Sequence, residues 1–158
     1  LPKRSVLVEQ RFCAPGSAII WVPKKIDPKS KTIVAGFGDG VVRILQIGQS
    51  KRTDDYQQTA VVADLELLQV LKPHSDAVRA MAYDERGKFF ASSGDDLTLF
   101  TFHVDGPRLE PIGFARLPAV ARKLIWRYAK TTDPEPTLLL FMDNSCVIEV
   151  CSCRMITI

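Results

Sequence analysis

Three segments of this sequence follow one plan. The first, SAIIWVP…KSKTIVAGFGDGVVRILQI, runs from Ser17 to Ile47. The second, DAVRAMAYDERGKFFASSGDDLTLFTFHV, runs from Asp76 to Val104, and the third, AVARKLIWRY…EPTLLLFMDNSCVIEV, from Ala119 to Val150. Each opens with a strand-like run that closes on an aromatic (Trp21, Tyr83, Trp126). A polar turn, an apolar strand, a short acidic or amide turn and another strand follow, and the aligned turn residues are Asp39, Asp96 and Asn144. A further strand-like stretch precedes each unit: SVLVEQRFCAPG, ADLELLQVLKPH and RLEPIGFARLP. Units repeated in this way cannot bury an apolar face alone and must stack on one another. Four antiparallel strands per unit form the blade of a β-propeller. The expected fold is all-β, a propeller fragment of about three four-stranded antiparallel blades, the last incomplete. The units fall at roughly 17–71, 76–117 and 119–158.

Helical signals are nearly absent. Only Val61–Leu71, VVADLELLQVL, is long enough to consider, and its periodicity is ambiguous. Elsewhere apolar runs of four to eight residues are bounded by Gly, Pro, Asp and Ser, the pattern of short strands. The polar stretch GQSKRTDDYQQT, residues 48–59, lacks the apolar content to fold independently and reads as a disordered loop or, alternatively, a docking segment. TLLLFM, residues 137–142, reads as a central strand covered on both faces. The net charge of +3 gives no footprint for nucleic acid or an anionic membrane. No apolar run approaches the roughly 18 residues of a membrane helix. Four cysteines, three of them clustered, are too few for a secreted disulfide framework, which points to a reducing compartment. The chain lacks an initiator methionine and ends in the strand-like CRMITI, so it reads as a piece excised from something longer.

In the second unit, PHSDAVRAMAYDERGKFFASSGDDLTLFTFHV resembles a WD repeat. His74, Asp76, Val78, Tyr83, Gly87, Ser92 and Asp96 fall on the pattern, and Phe102 stands where that family has tryptophan. The other units match more loosely, with Pro15-Gly16 or Pro118 in place of the His and with Leu45 and Val150 in place of the tryptophan. Asp39, Asp96 and Asn144 lie 57 and 48 residues apart, longer than the roughly 40–45 of a WD blade. The polar stretch at 48–59 and AKTTDPEPT at 129–137 hold the excess. More narrowly, the second unit and the following EPIGFARLP are similar to the large cilia- and flagella-associated WD-repeat proteins, which include a member of the tether and tether-head complex of an inner-arm dynein. The resemblance implies a WD40-type propeller and a non-catalytic scaffold in the cytoskeleton of the cilium or flagellum. The implied partners are dynein heavy chains, tubulin and other WD-repeat proteins, with no cofactor. It further implies a structural network in the middle blade, in which Asp96 accepts from His74 and His74 bonds Ser92. A WD adaptor outside cilia, in trafficking or ubiquitin ligation, and a propeller-scaffold enzyme are the competing readings.

The residues with chemical potential favour structure over catalysis. Asp95 and Asp96 are adjacent, so on a strand or turn they point in different directions and do not share a site. Asp96 at a hairpin tip suits an Asx-type turn. Ser92, His74 and Asp96 are the residue types of a hydrolytic triad. Ser92, however, lies inside the apolar run FFASS rather than on an exposed nucleophile elbow. GFGDG, residues 36–40, fits neither the dinucleotide nor the P-loop spacing and is followed by a strand, which makes it a strand-to-strand turn. Cys151 and Cys153 share a strand face but have no second pair for zinc. Asp76 and Arg79 flank the start of a strand and are the candidate partner contacts. No catalytic, cofactor or metal residue is assigned.

Overall fold

The computed structural model describes residues 10–53, 59–130, 132–143 and 147–150. They form eleven strands, with no helix among the described residues. The first sheet holds β1 (Gly16–Trp21), β2 (Thr32–Phe37), β3 (Val42–Thr53) and β4 (Thr59–Leu71). The second holds β5 (Val78–Tyr83), β6 (Phe89–Gly94), β7 (Thr98–Asp105) and β8 (Arg108–Arg116). The third holds β9 (Ala121–Arg127), β10 (Thr137–Met142) and β11 (Val147–Val150). Neighbours in sequence are neighbours in each sheet, all antiparallel. The sheets are blades of a partial propeller, the third with three strands, and they stack through β1, β5 and β9. The ambiguous stretch Val61–Leu71 is the body of β4.

Period-2 alternation sends one face of each strand to each side. Val34, Val42 and Ile44 of the first blade meet Val78, Met81, Phe90, Phe102 and Leu109 of the second in one buried layer. A second layer joins Ala80, Ala91 and Leu99 to Ala121, Leu124, Leu138, Leu140 and Met142 of the third blade. Full burial of each large side chain here contributes about 1.5–3 kcal/mol. These layers hold the blades, and with them the turns at their ends, in place.

The repeat extends to fine detail. Each inner strand carries a β-bulge near its start, at Ser17, Arg79 and Arg122. Each complete blade carries another on its outermost strand, at Leu68 and Ile112. The latter bulges put Leu45 and Phe102 in equivalent places, both buried. The first turn is also shared. Asp27 accepts from the backbone N–H of Lys29, Lys31 and Thr32, and Asp84 from those of Arg86, Lys88 and Phe89.

Two expectations need correcting. Residues 48–53 are not a disordered loop. They continue β3 and pair with 59–64, in register from Gly48↔Asp64 to Thr53↔Thr59. A ribbon is held by backbone hydrogen bonds, so the polarity of GQSKRT does not forbid it. The run TLLLFM is not covered on both faces. Leu138, Leu140 and Met142 are buried, but Phe141 is 50% exposed, because no sheet packs on its side among the described residues.

Candidate functional site

The end of the blades where β6 turns into β7 gathers the candidate residues. His74 precedes β5, Ser92 lies in β6 and Asp96 sits in the β6–β7 turn. The structure brings the three together. His74 is fully buried, with Nε2 2.9 Å from Ser92 Oγ and Nδ1 3.2 Å from Asp96 Oδ1. Thr98, which the sequence reading missed, completes the set. Its hydroxyl donates to Asp96 Oδ1 at 2.6 Å and lies 2.8 Å from His74 Nδ1. Asp96 also accepts from the backbone N–H of Thr98 and, through Oδ2, from that of Ser75 at 2.8 Å.

These contacts assign the proton. Thr98 Oγ1 has given its hydrogen to Asp96, so it accepts from His74 Nδ1–H. His74 Nε2 then accepts from the Ser92 hydroxyl. Burial lowers the His74 pKa from its ordinary 6.5, and the neighbouring Asp96 offsets this only in part. The ring is therefore neutral near pH 7. For Asp96, burial alone would raise the pKa. The bonds from Thr98 and Ser75, with His74 alongside, outweigh burial and hold it below the usual 3.8. Ser92 is 0% exposed and Phe100 stands edge-on to the His74 ring. A serine so enclosed cannot reach a substrate carbonyl, whatever its resemblance to a triad. Phe102 has no N–H to add to this network. It packs instead on Phe90 and Phe100.

The equivalent places in the other blades are not those the sequence alignment gave. His74 lies five residues ahead of the bulge at Arg79. Phe12 and Leu117 lie five ahead of the bulges at Ser17 and Arg122, so they replace Pro15-Gly16 and Pro118 as counterparts. Backbone bonding agrees. His74 N–H donates to Gly40 O, and Leu117 N–H donates to Leu97 O, each in the turn of the preceding blade. Both acceptors have positive φ, 81° and 60°. In the first blade Phe12 packs on Phe37, and the Arg43 guanidinium lies over both rings, 4.9 and 4.2 Å from their centroids. A cation–π cluster there takes the place of the polar network.

Asp95 turns away from Asp96 and pairs with Arg79. Arg79 Nε donates to Oδ1 at 2.5 Å and Nη2 to Oδ2. That contact with the Arg79 guanidinium holds the Asp95 carboxyl below its usual range. The third blade repeats the clasp with Arg122 and Asp143, at 2.6 and 2.9 Å. Arg79 is thus exposed but engaged, while Asp76 is exposed with one carboxylate oxygen accepting from Ala77 N–H. GFGDG forms the β2–β3 turn, where Asp39 Oδ1 accepts from Val41 N–H. Cys13 is exposed, and Cys151, Cys153 and Asn144 lie outside the described residues.

The family described as "WD domain, G-beta repeat" matches residues 65–106. This stretch is a WD repeat. It begins in β4, the outermost strand of one blade, passes through His74 and supplies the three inner strands of the next. The repeat therefore staples two blades covalently, and its His74 network lies just past the crossing. Over 148 residues the chain is 36% identical to the mouse protein named "Cilia- and flagella-associated protein 44". The alignment takes in 92% of this chain and 8% of that protein, so the chain spans a small part of its relative's length.

Proposed function

We propose that this chain works as part of a non-catalytic scaffold in the motile axoneme, where its WD blades hold other proteins in place. The carrying observation is the 36% identity over 92% of the chain to a protein named for cilia and flagella. The role suits the site. The polar groups of the middle blade's network are spent on neighbouring backbone or side chains, and the Ser92 hydroxyl is enclosed. What remains for partners is the exposed rim, where Asp76 and Arg79 lie beside the β6–β7 turn. On this reading the partners are proteins: inner-arm dynein heavy chains, tubulin and other ciliary WD-repeat subunits. Anchoring an inner-arm dynein is the specific task.

The test is made on the full-length protein in a ciliated cell. A tagged copy should stay with axonemes through detergent and salt extraction, and its deletion should lower inner-arm dynein content and beat frequency. Absence of the tag from axonemes would defeat the ciliary reading. Normal dynein content after deletion would defeat the anchoring role. Arg79→Glu should weaken partner retention without loss of folded protein, because the side chain is exposed.

A further inference from the structure

The two complete blades end on very different outermost strands. β8 is nine residues long, contains Pro111 and Gly113, and carries three charges in RLEPIGFAR. Its edge is also partly occupied. The Gln69 amide donates to Leu109 O at 3.0 Å and accepts from Leu109 N–H at 2.9 Å, satisfying that residue as a neighbouring strand would. Proline, charge and a covering group are the devices that blunt an edge against further pairing.

β4 runs for thirteen residues, TAVVADLELLQVL, and its edge is met at one point, where Asp64 Oδ1 accepts from Leu65 N–H at 2.9 Å. It contains no proline or glycine, and its only charges are Asp64 and Glu66, both exposed. Leu67 is 48% exposed. Among the described residues no strand pairs with its outer side, since β4 ends the sheet order. Pairing of β2 with β3 stops at Thr32↔Gln46. β3 and β4 therefore run on past the blade as a two-stranded arm of about 20 Å, six residues at roughly 3.3 Å each. Such a ribbon is marginal in water without a third strand.

We propose that the outer edge of β4, from Thr59 to the bulge ahead of Leu68, receives an extended segment of another polypeptide by strand addition. Backbone N–H and C=O groups supply the attraction, and alternate side chains supply the selectivity. Asp64 and Glu66, two residues apart and hence on one face, select lysine or arginine opposite them, because unlike charges across a strand pair stabilise it. The occupant is thus an uncapped strand of alternating apolar residues with basic residues on the other face. This surface extends the scaffold reading but is tested separately from it.

The experiment places a photo-crosslinking benzoylphenylalanine at residue 63 and then at residue 65 of the full-length protein in its native assembly, and maps products to single residues. Strand addition predicts crosslinks to one short segment of another protein, stepping by two residues when the probe moves by two. A probe at 112, in β8, should give no such segment. Leu67→Lys, a change at an exposed position, should cut the yield several-fold. Crosslinks confined to this chain, to a second copy of it, or to positions that do not step would overturn the proposal, even if the protein is retained in axonemes.

Discussion

Tyr128, just past the last strand residue of β9, donates its hydroxyl to Asp84 Oδ2 at 2.6 Å across the boundary between the second and third blades. Asp84 is 1% exposed and already accepts from the backbone N–H of Arg86, Lys88 and Phe89. Arg86 completes the join, its guanidinium 3.5 Å from the centre of the Tyr128 ring and its Nη1 donating to Asp133 O. The β5–β6 turn of one blade is thus bolted to the next. Losing one hydrogen bond to a buried charged group costs about 1.5–3 kcal/mol, the expected effect of Tyr128→Phe. Asp84→Ala should cost more, because it strands backbone donors as well. Urea denaturation of a polypeptide long enough to close the ring measures both, and a Tyr128→Phe variant of unchanged stability would show that the inter-blade bond contributes nothing.

The His74 network predicts a pH dependence with a definite sign. His74 has a lowered pKa when folded, so between 6.5 and that lowered value the unfolded chain binds more protons. Stability therefore falls as pH drops below 6.5. Asp96 adds a second, lower window. Its contribution is present above its ordinary 3.8 and is lost as pH falls through the depressed folded value. His74→Phe, which copies the first blade's Phe12, should reduce stability at pH 8 yet flatten the slope just below 6.5. Asp96→Ala should cost about 3 kcal/mol at neutral pH, since the Thr98 hydroxyl and the backbone N–H of Ser75 and Thr98 lose a charged acceptor. An unchanged slope in His74→Phe would place the acid sensitivity elsewhere.

Gly94 controls how tightly this network closes. A Cβ on it would stand 2.7 Å from Asp96 Oδ1 and 2.8 Å from His74 Nδ1, closer than real contacts allow. Gly94→Ala must push the ring or the turn aside. A loss of about 1–3 kcal/mol is expected from overpacking alone. The same change at Gly48, whose nearest neighbour would be 3.9 Å away, should be nearly silent by the same denaturation assay.

The blade plan was readable because alternation, turn residues and closing aromatics recur on scales that sequence shows directly. Trp21 and Tyr83 do end β1 and β5, and Trp126 lies one residue before the end of β9. Loops carry no such period. The His74 counterparts were therefore placed three residues late in the first blade and one late in the third. Thr98 escaped notice because a hydroxyl two residues after an aspartate has no meaning until the turn folds it back. The Arg79–Asp95 clasp was hidden for the same reason, since its two members lie sixteen residues apart across a hairpin. The arm was hidden by its own polarity, since pairing between two backbones leaves no hydrophobic trace.

Stacked blades also predict how the 158-residue polypeptide behaves when expressed alone. Each buried layer needs a sheet on both sides, and the outer faces of the first and third blades have none among the described residues. Ile19 and Trp21 are 66% and 58% exposed on one side, and Ile125 and Phe141 46% and 50% on the other. Apolar surface of this kind drives association. Three blades also fall short of the roughly four to eight that close a ring. The isolated chain should elute as a broad, concentration-dependent oligomer in size-exclusion chromatography with light scattering. Adding Ile19→Lys, Ile125→Lys and Phe141→Lys should move it toward the monomer mass while leaving the inter-blade layers intact, because all three side chains point away from them. A monodisperse wild-type monomer with one cooperative melt would contradict this account, since those faces would then need no cover.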